Sequence, residues 1–361
     1  MGWKHIINPF QINIEPMERL LLINFEKSPD DIYVAFEPQV FNDAIIGKGH
    51  LIIGWRRDGM VDVYHQPSLK PDPAGYDIVG KGLANMVEDE LSEASYEVNN
   101  FGVQAYYRFK DINNRVVKIK IKENNSKKRK PFGLLAPMGD AAENPSAMPL
   151  VLLHDFYFVR KKHTEVEISI NGKLHQPDEL PLPMDGKKMF YSRYSTKPLI
   201  VTFNRALDTE LEPLEVKLQE QQISSGEYDF ELEWNNNKPA IKRIIRNNKI
   251  HPVTLLFKDA FPDIRTLGND ISFEGSFEIE GHHSTGLIGG HYTLEKKNDE
   301  IKISMVPSSG WKPRPTKFSL LFLYTVAKIF KKWPTTYEWT ASIQDKENGV
   351  FHMKSDWKRI K

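Results

Sequence analysis

An all-β, mainly antiparallel architecture is the expectation from three observations on this chain. Residues 117–122 read Val-Lys-Ile-Lys-Ile-Lys, a strict two-residue alternation of apolar and charged side chains. The same alternation returns far along the sequence: Val166, Ile168 and Ile170 oppose Glu165, Glu167 and Ser169, Phe277 and Ile279 oppose Glu278 and Glu280, and Ile301 and Ile303 oppose Lys302 and Ser304. Residues that tolerate positive φ sit between such runs. Side chains on a strand point to opposite faces in turn, so the pattern describes sheets with one dry and one wet face. Sheets of that kind are antiparallel.

Taken in order, the turn chemistry marks out hairpins. Asp58 and Gly59 part the runs 51–55 and 60–64, and Asn113 and Asn114 part 105–109 from 116–121. Asn171 and Gly172 follow 166–170, Asp185 and Gly186 precede 189–191, residues 235–237 follow 230–234, and Asn348 and Gly349 join 340–343 to 350–353. Asn and Gly accept the left-handed backbone that tight hairpins need. Repeated hairpins at this spacing indicate sandwiches or barrels. Two stretches break the rhythm. Residues 124–149 read as a long loop, and residues 204–226, acidic and with Pro213, lack alternation except at 214–218. A chain of 361 residues is long for one core, so two domains are expected, 1–210 and 211–361. Helix is scarce. Residues 86–95 are rich in Glu and Leu and offer two or three turns unless the neighbouring strands absorb them. Residues 318–332 form the best helix candidate, with Phe318, Leu321, Phe322, Ile329 and Phe330 on one face, Thr316 as cap and Pro334 as stop, and a buried strand over 318–323 as the rival.

Composition removes several function classes. Lys and Arg total 49 against 48 for Asp and Glu, so no global field favours nucleic acid or an anionic membrane. There is no cysteine, which excludes disulfides, thiolate metal sites and cysteine nucleophiles. The first residues lack the apolar stretch of a secretory signal, and no segment has the roughly 20 apolar residues of a spanning helix, so a soluble cytoplasmic protein without stable membrane insertion is expected. Phosphate loops, dinucleotide glycine patterns, nucleophile elbows and His-Glu-x-x-His are all missing, and no cofactor is expected.

The residues with chemical potential are few. His282 and His283 precede Gly286, Gly289, Gly290 and His291, so a bend at the glycines would bring His291 opposite one of the pair. Adjacent histidines on a strand face opposite ways, and a metal site wants three or more protein ligands, so no metal is expected there and His283 and His291 are read as ligand-binding candidates. Residues 150–159 form a mostly apolar run interrupted by His154 and Asp155. Burial of either without a partner is costly, and a His or carboxylate in an apolar cavity can serve as acid or base, so both are catalytic candidates. Alternation puts His154, Phe156 and Phe158 on one face and Asp155, Tyr157 and Val159 on the other; Tyr157 offers an aromatic face to a ligand. His65 ends a strand before a proline-rich loop, and Asp140 lies in the long loop; both are pocket candidates, with a solvated loop and a turn as the alternatives.

Residues 76–82 (Tyr-Asp-Ile-Val-Gly-Lys-Gly), 105–109 (Ala-Tyr-Tyr-Arg-Phe), 286–294 (Gly-Leu-Ile-Gly-Gly-His-Tyr-Thr-Leu) and 301–303 give the chain a layout that resembles the two-domain lipocalin-like proteins of the AttH, hydroxyneurosporene synthase and carotenoid 1,2-hydratase type. The resemblance implies two barrel-like domains with an apolar cavity inside or between them, acting on isoprenoid or other hydrophobic molecules; no catalytic residue carries over from it. The expected function is a lipocalin-like protein taking a small hydrophobic or amphipathic ligand. Alternatives are an acid-catalysed hydratase, cyclase or isomerase on the same scaffold, a carbohydrate-binding sandwich with exposed tryptophans, and membrane association through 318–333. The sequence carries no signal for oligomeric state or for the identity of the ligand.

Overall fold

The alternating runs become strands in the computed structural model, which describes residues 3–77, 80–125, 130–136, 144–184, 186–249, 251–315, 317–326, 332–346 and 349–360. Three large sheets carry the chain. A nine-stranded sheet runs in the order Phe132–Ala136, Met148–Arg160, Met189–Phe203, Met17–Asn24, Tyr33–Asp43, Gly47–Arg56, Val61–His65 and Leu83–Glu88, with Ile12–Glu15 paired beside Met189–Phe203. A five-stranded sheet runs Lys173–His175, Thr164–Ile170, Val116–Glu123, Gly102–Lys110 and Glu93–Asn99. The third has ten strands, all from residue 207 onward: Leu207–Leu211, Val350–Arg359, Tyr337–Lys346, Glu300–Lys312, Leu287–Lys297, Ile271–Glu280, Val253–Pro262, Lys238–Arg246, Tyr228–Asn235 and Gln222–Ser225. Trp3–Ile7 pairs with Pro213–Lys217 in a separate ribbon. The all-β, mainly antiparallel expectation holds. No strand order closes on itself among the described residues, so there is no closed barrel.

The turns behave as their residue types demand. Asn171 and Gly172 have φ of 49° and 80°, and Asn236 and Asn237 have 49° and 62°, the left-handed pairs that match hairpin twist. One strand pair is parallel, Val61–His65 with Leu83–Glu88. A parallel pair needs a crossover, and the short helix Pro73–Asp77 lies in it.

Several local expectations are corrected. Residues 86–95 are not helical: they fall in Leu83–Glu88 and Glu93–Asn99, where pairing with Val61–His65 and Gly102–Lys110 overrides helix propensity. Residues 132–136 of the expected loop form an edge strand, and 207–225 hold three short strands. Phe318–Val326 is a helix, but Leu320 and Tyr324 are its buried residues, while Phe318, Leu321 and Phe322 are exposed. Tyr324 donates to the Gly133 carbonyl at 3.1 Å, and this sets which face turns inward. Thr316, Ile329 and Phe330 lie outside the described residues. No helix among the described residues is long and apolar enough to cross a membrane.

The nine-stranded sheet is buried on both faces. Leu21, Ile23, Phe36, Ile52 and Tyr64 join Val103, Tyr107, Phe109, Val117 and Ile119 of the five-stranded sheet in one apolar cluster. Leu20, Phe41, Leu51, Ile53 and Val63, one position away along the same strands, belong to a second cluster that continues into the ten-stranded sheet through Phe257, Phe277, Tyr292 and Trp339. Arg115 pins the first interface. Its guanidinium grips Asp30 with two bonds of 2.8 and 3.1 Å and Asp111 at 2.7 Å, and both carboxylates are buried. Replacing Arg115 by Met strands two carboxylates in an apolar seam. Urea unfolding should show a loss of about 3–5 kcal/mol, the cost of breaking a buried ion pair from one side.

Candidate functional site

A cavity of about 270 Å³ opens beside the nine-stranded sheet. Its walls follow from the strand period: Leu20, Leu22 and Asn24 on one strand, Ala35, Glu37, Gln39 and Phe41 on the next, Ile53 and Trp55 on the third, and Val151 and Leu153 on Met148–Arg160. Tyr76, from the crossover helix, lines it too. An apolar cavity of about 150 Å³ takes a benzene-sized guest, so this one has room for a molecule roughly twice that size.

One end of the cavity is polar. Glu37 (7 % exposed) accepts from Gln39 Nε2 at 2.9 Å and from Trp55 Nε1 at 3.1 Å. Arg193, which donates to Asn24 Oδ1 at 2.8 Å and to the Tyr191 carbonyl at 3.0 Å, lines the same space. Burial pushes the Glu37 carboxyl above its ordinary value of 4.5, against the pull of its two donors and of Arg193. A carboxyl raised in this way is an O–H donor over a wider pH range, whereas its charged form would only accept. Gln39 is 2 % exposed, and its Oε1 has no hydrogen-bond partner among the described residues. The cavity therefore presents mostly apolar walls, the unpaired Gln39 acceptor, two carboxyls raised by burial, Glu37 and Glu15, and the guanidinium of Arg193.

None of the six described residues singled out from sequence lines this cavity. His154 (3 % exposed) sits on the same strand as Val151 and Leu153 but turns the other way, where its ring meets His251 and His282 at centroid distances of 4.7 and 4.4 Å. Asp155, with φ of 51°, lies at a register slip against Phe132–Ala136 and pairs with Lys197 at 3.5 Å. The adjacent His and Asp thus face different surroundings. Tyr157 stacks on Tyr194 at 5.2 Å and packs on the cluster behind the sheet. His65 is buried at a strand end, its Nδ1 3.0 Å from the Gln66 carbonyl. His291 does not meet His282 or His283 across a bend: it is exposed on Leu287–Lys297, paired with Ser276 and Val306, and its Nδ1 lies 2.8 Å from Ser308 Oγ. His283 is exposed, its ring 4.1 Å from that of His282. Asp140 lies outside the described residues.

Glu37, Gln39 and Arg193 escaped sequence reading. A signal for the first two existed: both occupy the alternation of Ala35 and Phe41 inside an apolar strand, where a polar residue is either solvated or buried for a purpose. Only the sheet on the far side decides which. The described tryptophans form no exposed platform: Trp311, Trp333, Trp339 and Trp357 are buried, Trp55 lines the cavity, and the half-buried Trp234 donates to the Glu220 carbonyl. The observation that motivated a carbohydrate-binding surface is therefore missing among the described tryptophans.

The raised Glu37 carboxyl links stability to pH. Its neutral form is favoured in the fold, so its contribution is complete below the unfolded value near 4.5 and is lost as pH rises through the folded value. Thermal melts across that range should show wild type losing stability relative to Glu37→Gln as pH rises. Parallel curves for the two proteins would place the titration elsewhere.

Compared with known proteins, the chain matches no protein-family model, no curated protein and no solved structure.

Proposed function

We propose that this protein binds a small amphipathic molecule, an apolar body with one hydrogen-bonding head, in the cavity beside Tyr33–Asp43. The carrying observation is the unpaired, buried Oε1 of Gln39, a residue that lines this mostly apolar cavity. A buried acceptor left without a donor costs about 1–3 kcal/mol. A guest hydroxyl or amide directed at Gln39 removes that cost, while Glu37 and Arg193 serve a second polar atom of the same head. The body of the guest gains roughly 25 cal/mol per Å² of apolar surface withdrawn from water, less the cost of association. This reading keeps the lipocalin-like ligand class implied by the layout of the chain and moves the polar contacts from His65, Tyr157 and the histidines of the ten-stranded sheet to Glu37, Gln39 and Arg193.

One observation favours a second reading, in which the bound molecule also reacts. Glu37 is a carboxyl whose charged form is disfavoured by burial, on the wall of the cavity and held in place by Gln39 and Trp55. Such a group can protonate a carbon–carbon double bond, after which water adds to the cation or a proton leaves from a neighbouring carbon. The acid of the expected hydratase or isomerase is then Glu37, because His154 and Asp155 do not line the cavity.

Trp55 supplies the readout. Titration with geraniol, an isoprenoid alcohol of suitable size, should perturb the emission of wild type and leave Trp55→Phe with a smaller change. Val151→Phe narrows the cavity and should weaken binding about tenfold or more while the melting temperature moves little. Equal affinity in the narrowed protein would remove the cavity from consideration. Glu37→Gln keeps the shape and the acceptor: binding without turnover supports the acid role, and unchanged turnover of an alkene substrate discards it.

A further inference from the structure

A second constellation lies on the opposite side of Met148–Arg160, apart from the cavity. His154 comes from the middle of that strand, His251 from the turn between Lys238–Arg246 and Val253–Pro262, and His282 from the cap of the single turn His283–Thr285. The nine-stranded sheet supplies one ring, and connections of the ten-stranded sheet supply two. One ring nitrogen of each lies within 4.8 Å of the other two. Backbone contacts make the meeting possible. At Gly133, in the edge strand beside Met148–Arg160, a Cβ would sit 2.4 Å from the Ser284 carbonyl oxygen, and at Gly281 it would sit 2.6 Å from Leu152 Cδ1. Larger residues at either position would push the His282 turn away from His154.

A stack of core histidines needs no ligand if each polar nitrogen is satisfied. That condition fails for His154: its Nε2 is buried and has no hydrogen-bond partner among the described residues. The chemistry that accepts an imidazole lone pair in a dry place is a proton donor or a cation, and three imidazoles converging from separate elements select the cation. We propose that His154, His251 and His282 bind a divalent transition-metal ion of the zinc class, which joins the two large sheets. Three imidazoles are the ligand number of an open zinc site, with a fourth position left for water or a substrate atom. Imidazole suits zinc, copper and nickel, while magnesium and calcium prefer oxygen.

Zinc–nitrogen bonds of about 2.0–2.1 Å set tetrahedral ligand atoms roughly 3.4 Å apart, so the rings draw together on binding. His154 is fixed in a paired strand, its carbonyl accepting from Ser195 Oγ at 2.8 Å, and the turn residues His251 and His282 are the ones that close. Ser284 positions His282. Its backbone N–H donates to Nδ1 at 3.2 Å, and its Oγ lies 2.5 Å from the same nitrogen, which fixes the orientation of the ring. Asp155 acts favourably on the charge of all three histidines, and Lys197, paired with Asp155, acts against it. No step of the cavity chemistry involves these residues, so the two sites fail or stand separately.

The test uses tag-free full-length protein treated with a chelator and then titrated with zinc chloride by calorimetry and thermal melts. One ion per chain and a rise in melting temperature that grows with free zinc are expected. His251→Gln and His282→Gln, on turn residues whose loss leaves the strands paired, should each weaken zinc by about a hundredfold, no less than the loss of an outer partner costs, and Ser284→Ala by about tenfold. His291→Gln, an exposed histidine elsewhere on the ten-stranded sheet, should bind as wild type. Magnesium in place of zinc should leave the melt unmoved. Failure to take up zinc near one per chain, or uptake unaltered in both His251→Gln and His282→Gln, overturns the proposal.

Discussion

Both faces of the nine-stranded sheet are covered, and most of what is unusual about this molecule follows from that burial. A sheet with one wet face can place charges outward at no cost. Along Tyr33–Asp43 that freedom ends, because Phe36 and Val40 enter the cluster shared with the five-stranded sheet while Ala35 and Phe41 face the other way onto the cavity. Each polar residue in the interior of such a strand needs a partner. Tyr33, Asp62 and Tyr64 solve this among themselves, with a Tyr33 hydroxyl bond of 2.8 Å to Asp62 and one of 2.6 Å to Tyr64, and with Asn85 and Arg56 completing the carboxylate. Glu37 and Gln39 solve it only in part, and the residue of that incomplete solution is the candidate site.

The same rule separates the two sites physically. Val151 and Leu153 point into the cavity, and His154 points across to the other half of the molecule, where the turn at Gly281 and His282 approaches. One strand thus serves an apolar chamber with one side chain and a polar cluster with the next. In both places a buried polar atom is unsatisfied, Gln39 Oε1 in the chamber and His154 Nε2 in the cluster. The chemical demands differ. An amide oxygen asks for a donor, and an imidazole nitrogen surrounded by other imidazoles asks for a cation. The proposed guest molecule, for Gln39 on Tyr33–Asp43, and the proposed metal ion, for His154 on Met148–Arg160, therefore answer distinct demands.

Strand runs and hairpin turns were readable because they are local. The alternation at Val117, Ile119 and Ile121 and the pair Asn171 and Gly172 report backbone geometry within a few residues, and the paired strands 116–123 and 164–170 occupy those places. His154 stood out for the same reason, as a polar interruption of an apolar run. The helix face at 318–326 was misread because a 3.6-residue period names a stripe without saying which neighbour covers it; the Gly133 carbonyl, far away in sequence, selected Leu320 and Tyr324. Residues 86–95 went astray for a related reason, since helix propensity is weak against two strands waiting to be paired.

Periodicity along the chain was sufficient to establish antiparallel sheets, their principal hairpins and the absence of thiol chemistry, since these depend on neighbours in sequence and on residue type. The burial of Glu37 and Gln39, the company of His154 and the convergence of His251 with His282 depended on which sheet lay over which. Those contacts join residues that share no local pattern: His251 stands between Ile250 and Pro252 with nothing nearby to mark it. Long-range packing assigns partners to buried polar atoms, and the candidate sites arise where that assignment leaves an atom over.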